Sequence, residues 1–313
     1  MNKIILILGN GFDLDLGLPT SYRNFVESLE CKILASSQDN YLVKRLINSY
    51  VVQGWVDVEE ELKTFAKEKN GKSGSDVYRF KSDYVELVSQ LRRYLLRVTG
   101  QPQNINAYST SALLLNVIDK FPYDFKIFSF NYTNLNNLKE TLQLKNTIRY
   151  THVHGSIDDN TLILGFEDSA ESIDDYSFMI KTFNPDYSSH HLRQSLSQAN
   201  EVIFFGHSLG STDYHYFAQF FKEKSKAGLK LEDSVRISFI TANHESHISI
   251  LNQLRKMNDA NTNLLFDQND IEFYYTSDYR KRYRIFHLME RLFLECQADE
   301  IITNPDYIPE TIN

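Results

Sequence analysis

The chain has 313 residues, of which 42% are hydrophobic, 13% aromatic and 24% charged, a supply of rings and apolar side chains that excludes a disordered polymer and predicts one large or two ordinary folded domains. The formal net charge of −8 argues against a general nucleic-acid coat or a polybasic membrane binder, though not against a small anionic ligand held at a local site. Cys31 and Cys296 are the only cysteines and form no CxxC pair, which excludes a four-cysteine zinc ribbon and predicts a reduced, cytoplasmic protein without a disulfide framework.

Lys3 to Leu8 reads as a continuous apolar strand from the centre of a parallel sheet. It is too short to span a bilayer and has no small-residue cleavage site, so neither a membrane span nor a leader is expected. The strand runs into Gly9-Asn10-Gly11-Phe12-Asp13, and after Pro19 the pair Thr20-Ser21 predicts a helix cap. Helical spacing then fills Tyr22 to Ile33, Tyr41 to Val52, Val56 to Lys69, Val77 to Val98 and Ala107 to Phe121, broken by Gly71, Gly74 and Gly100. Strands are predicted at Phe125 to Phe130, Thr147 to Val153, Thr161 to Phe166, Glu201 to Gly206, Val235 to Thr241 and Ile271 to Thr276. Helical stretches at Ser188 to Ala199, Asp213 to Lys226, Glu245 to Lys256 and Tyr283 to Cys296 separate the later strands, and the tail after Ile302 reads as loop. This alternation predicts an α/β fold with a mostly parallel, Rossmann-like sheet and a large helical insertion after the first strand. The expected division is a nucleotide-binding core at 1–20 and 121–280, a helical cap at 21–120, and a C-terminal helix and tail at 281–313.

Four segments could carry chemistry. The Gly9 to Asp13 turn sits where open α/β sheets bind phosphate, since glycine lets backbone amides approach a pyrophosphate. It lacks the dehydrogenase pattern, with Leu14 where a third glycine would fall, so a glycine-requiring strand-to-helix turn is an equal reading. Asn131, in Ser129-Phe130-Asn131-Tyr132-Thr133-Asn134, offers an amide that both donates and accepts, able to hold a water or a ribose hydroxyl; a turn-forming Asn is the plainer alternative. In Thr151-His152-Val153-His154-Gly155-Ser156, no Cys or carboxylate cluster at ligand spacing accompanies the two histidines, so no metal is expected. His152 reads as a packed residue and His154 as a general base. Gly206-His207-Ser208-Leu209-Gly210 matches the nucleophile elbow of α/β-hydrolases, with Asp233 and His244 as loose triad partners; no oxyanion segment of the expected type lies upstream.

Together these segments resemble the AbiH family of bacteriophage abortive-infection proteins. The resemblance is carried by ILGNGFDLDLGLPTSYRNF at the start, WVDVEEEL from Trp55 to Leu62, SFNYTN, HVHGS, and FFGHSLGSTDYHYF ending at Phe217. More distantly the set is similar to the SIR2-like fold. That likeness implies that Gly9, Asn10, Gly11, Phe12, Asp13, Gly155, Ser156, Gly206 and Ser208 contact a dinucleotide, and that Asn131 and His154 are catalytic. It implies NAD as substrate or ligand, not as a redox cofactor, with Ser208 binding ligand and not acting as nucleophile. Asp13 and Thr133 depart from the sirtuin pattern, and the missing zinc cysteines disfavour deacetylation and suit NAD-hydrolysing defence proteins. The expected partners are a nucleotide, a phage-derived trigger and a homo-oligomeric assembly, with no specific nucleic acid. The expectation is a defence protein that binds NAD and hydrolyses its nicotinamide–ribose bond. A nucleotide-binding sensor acting through a partner and a serine hydrolase built on Ser208 stand as alternatives.

Overall fold

Ile4–Leu8 forms β1, with all five side chains buried, because the strand lies at the middle of a sheet covered on both faces. The structure, a computed structural model, describes residues 4–37, 40–53, 57–71, 74–100, 105–168, 173–188 and 190–303. Five further strands follow: β2 (Phe125–Ser129), β3 (Tyr150–His152), β4 (Glu201–Phe205), β5 (Arg236–Thr241) and β6 (Asp270–Tyr275). All pair in parallel in the order β3-β2-β1-β4-β5-β6. This is the doubly wound Rossmann order, and it reverses direction between β1 and β4. A crevice opens at such a reversal beyond the carboxyl ends of the strands, because the two following connections leave on opposite faces.

Successive β1 side chains serve the two faces in turn. Ile4, Leu6 and Leu8 pack with α7 (Thr110–Lys120) and α12 (Arg282–Thr303). Ile5 and Ile7 pack with α8 (Leu192–Ser197), α9 (Tyr214–Lys224) and α10 (His244–Met257). Phe204, Phe239 and Phe273 stack in a row across β4, β5 and β6 on the second face. A further short helix, α11 (Thr262–Gln268), was not anticipated by the spacing; it precedes β6.

A separate apolar cluster holds the insertion, built from α2 (Tyr22–Glu27), α3 (Leu29–Ser37), α4 (Tyr41–Gln53), α5 (Val58–Lys69) and α6 (Gly74–Thr99). The single helix expected over Tyr22 to Ile33 is two helices. Ser28 is extended between them, and its hydroxyl accepts from the amide of Cys31 to start the second. The expected strand Thr161 to Phe166 is not a strand; only a lone bridge from Phe166 to Ile180 forms. Leu162, Leu164 and Phe166 pack against the insertion helices instead, and Ile163 between them is buried as well. A short apolar run marks burial without saying what covers it. Packing also places the helix at 110–120 with the sheet, although it precedes residue 121. Trp55 and Val56 of the WVDVEEEL motif, and the tail from residue 304, lie outside the described residues.

The connections after β1 and β4 touch backbone to backbone. The Gly11 amide donates to the Gly206 carbonyl at 2.9 Å, and the Gly9 amide to that of Phe205 at 2.9 Å. A Cβ on Gly11 would stand 2.6 Å from the Gly206 Cα, and Gly206 has φ +64° with its own would-be Cβ 2.3 Å from the Phe12 nitrogen. Only glycine fits either position. Gly206→Ala is expected to cost on the order of 3 kcal/mol, from left-handed strain plus overpacking, read as a lower urea midpoint at unchanged slope.

Candidate functional site

A cleft of about 370 Å³ lies at the reversal point, lined by the turns after β1, β2 and β4 and roofed by Tyr22, Glu59 and Leu95 of the insertion. The volume is within the range of small-molecule sites. Short α1 (Asn10–Asp15) carries Asp13 into it from the first turn. Asn131 extends β2 and His154 extends β3, so both reach the same rim.

Asn131 is held from several sides. Its Nδ2 donates to the Gly9 carbonyl at 3.0 Å and to Asp13 Oδ1 at 2.9 Å, which uses both amide protons. Its Oδ1 has no partner among the described residues, leaving an acceptor at the cleft. His152 fixes the Asn131 backbone, with Nδ1 2.9 Å from the carbonyl oxygen, consistent with a packing role. Thr133 donates to Asp13 Oδ2 at 2.5 Å. Burial pushes the Asp13 carboxyl up to about 6, against the pull of its Thr133, Asn131 and Thr20 hydrogen bonds.

His154 belongs to a second buried group. Lys181 Nζ, 1% exposed, sits 3.0 Å from Glu59 Oε2, 3.1 Å from Asp213 Oδ1 and 3.2 Å from the Thr212 carbonyl. Three protons meet three oxygens, so His154 Nε2, 3.3 Å from the same ammonium, is not its acceptor. Nε2 instead donates to Asp213 Oδ1 at 3.1 Å, which leaves Nδ1 as the proton-free nitrogen. Burial, then the Lys181 charge, lowers the His154 imidazole to about 4. It is neutral at physiological pH, as a base must be, but a weaker proton acceptor than an ordinary histidine. Burial alone would raise Asp213; Lys181 and His154 reverse this and hold it well below the usual carboxylate range. Burial opposes the Lys181 charge, and Asp213 with Glu59 overcomes it, so the ammonium stays protonated.

Gly9, Asn10, Gly11, Asp13, Asn131, His154, Gly206 and Ser208 therefore line one cleft. Phe12, Gly155 and Ser156 do not. Phe12 is buried edge-to-face on Phe205, and the Ser156 hydroxyl accepts from the amides of Asp158 and Asp159 in its own turn. Gly155, at φ +77°, shapes that turn; a Cβ there would stand 1.8 Å from the Thr161 carbonyl. The amides of Gly9, Gly11 and Phe12 are spent within the protein. The glycines at the first turn thus serve close packing of two connections. A hydrolase triad is not assembled. Asp233 precedes β5 and His244 follows it, so the strand's whole length separates them. His207 does not reach Ser208 as a base either: its Nδ1 accepts from the Leu209 amide and its Nε2 lies 3.5 Å from Asp213 Oδ2. Lys181, Glu59 and His207 were missed as site residues. Glu59 sits in the acidic start of the WVDVEEEL motif, a usable signal; nothing in the sequence around Lys181 marks it.

The fold and its cleft define a doubly wound α/β protein with a polar site at the switch point. The family described as "Bacteriophage abortive infection AbiH" matches residues 5–232, and the chain belongs to it. Its role is accordingly in defence by abortive infection. No curated protein matches the chain significantly. Among the described residues, no helix is long and apolar enough to cross a membrane.

Two outcomes follow. Lys181→Met strands two buried carboxylates and is expected to cost about 3–5 kcal/mol in denaturant unfolding, partly recovered by adding Glu59→Gln. Asp13 binds its proton more tightly folded than unfolded, so its contribution to stability is full below pH 3.8 and is lost as pH rises through about 6. The melting temperature of Asp13→Asn relative to wild type should therefore shift in the variant's favour between those values.

Proposed function

We propose that this AbiH-family chain binds NAD, or a related nucleotide, in the switch-point cleft and hydrolyses the nicotinamide–ribose bond, arresting growth by removing a central cofactor. The observation that carries this reading is the convergence of Asn131 and His154, from the ends of adjacent strands, on one cleft beside the first glycine turn. A SIR2-like kinship, in which these two residues are the catalytic ones, is part of the proposal.

Water attacks C1′ of the ribose as the C1′–N bond breaks. The bonding pair goes to the ring nitrogen, so nicotinamide leaves neutral and needs no acid. The transition state is oxocarbenium-like, as in glycoside cleavage. Asn131 Oδ1 orients the water by accepting one of its protons. His154 Nδ1 takes the proton that is lost, and Asp213 steadies the imidazolium as it forms. Asn10 and Ser208 would face the pyrophosphate, since the other amides of the first turn are already paired. The insertion would read the phage-derived trigger. A second reading, a sensor that holds a nucleotide without turnover, draws on the roof: Tyr22, Glu59 and Leu95 make cleft occupancy and insertion position interdependent.

Purified protein incubated with NAD should release nicotinamide and ADP-ribose. Asn131→Ala and His154→Ala are each expected to lower the rate by about 10²–10⁴-fold, whereas Ser208→Ala should raise KM but retain the rate at saturating NAD, and a fluorophosphonate should leave Ser208 unlabelled. Release undiminished in both of the first two variants overturns the mechanism. A nucleotide recovered intact after purification, with no turnover, favours the sensor.

A further inference from the structure

Among the described residues, four carboxylates line the cleft and no Lys or Arg does. Glu59 and Asp213 each meet the Lys181 ammonium, and Asp57 caps α5, accepting from the amides of Glu59 and Glu60. Asp13 is different. It is 1% exposed, its partners Asn131 and Thr133 are neutral donors, and no ion pair reaches it among the described residues. A buried charge without a counter-charge is costly, and a ligand that brings the missing charge relieves that cost. Beside Asp13, the open Oδ1 of Asn131 accepts a hydrogen bond from the same ligand. Tyr22, Phe130 and Tyr132 contribute ring surface to the cleft, which suits a flat cation.

We propose that Asp13 is the counter-charge for a cationic aromatic ring of the ligand, so that the cleft selects the oxidised, pyridinium form of a nicotinamide nucleotide over the uncharged, reduced form. The inference rests on the nucleotide reading above and narrows it to a substrate class. Asp13 acts here as a specificity-determining residue. The charge it faces moves from the ring to C1′ as the glycosidic bond opens, so the same carboxylate serves the bound substrate and the oxocarbenium-like state after it.

The test is equilibrium binding of NAD⁺ and NADH to the full chain carrying His154→Ala, so that NAD⁺ is not consumed. NAD⁺ should bind about ten- to a hundredfold more tightly. Asp13→Asn, checked for folding by its thermal melt, should abolish the preference; Glu245→Gln, which removes an exposed carboxylate outside the cleft, should keep it. Equal affinity for the two dinucleotides, a preference that survives in folded Asp13→Asn, or its loss in folded Glu245→Gln overturns the assignment. If neither dinucleotide binds, the nucleotide reading fails, and the smaller pair 1-methylnicotinamide (cationic) and nicotinamide (neutral) decides the counter-charge separately. Tighter binding of the cation that depends on Asp13 upholds it; equal binding, or none of either, overturns it.

Discussion

One ammonium group ties the molecule together. Lys181 Nζ is buried where three parts of the chain meet: Glu59 from the helical insertion, Asp213 from the connection after β4, and His154 from the end of β3. A charge in that position is tolerated only because two carboxylates and a carbonyl take all three of its protons. The consequence reaches the imidazole. With the ammonium fully occupied, His154 gives its Nε2 proton to Asp213 and keeps Nδ1 bare, so the tautomer is set by a residue that does not itself line the cleft. The insertion and the site are thus held by one electrostatic knot, and a displacement of α5 is felt at His154.

The second constraint is steric. The connections after β1 and β4 leave the sheet on opposite faces at the reversal point, and their backbones touch where Gly9, Gly11 and Gly206 leave room. Both glycine motifs take on a shared meaning from this contact. GNG and the first glycine of GHSLG are two halves of one close approach. The amides of Gly9 and Gly11 are consumed in making it, so the turn shapes the cleft more than it grips a phosphate.

Much of the architecture was legible in the residues. The uninterrupted apolar run of β1 announced a central parallel strand, and the alternation of strands and helices after residue 121 announced a doubly wound sheet, because burial on two faces and on one face leave different periodicities. That Asn131 and His154 share a rim was legible because each follows an apolar strand, and in a parallel sheet the carboxyl ends of the strands lie together. The same logic misread Thr161 to Phe166, whose apolar residues Leu162, Leu164 and Phe166 pack on the insertion and not in the sheet. The match of five residues to a nucleophile elbow likewise failed in space, since Asp233 and His244 flank opposite ends of β5.

By itself the sequence determined the class of fold, the family and the rim on which the polar residues gather, since these follow from hydrophobic periodicity and short motifs that act locally. Only the tertiary structure decided which charges are paired. Lys181 and Glu59 lie more than a hundred residues apart, and no local pattern encodes their meeting. Asp13 reads in sequence as one more acid near a glycine turn; that no cation among the described residues pairs with it becomes visible only in the fold, because charge compensation depends on distances between segments and not on their order.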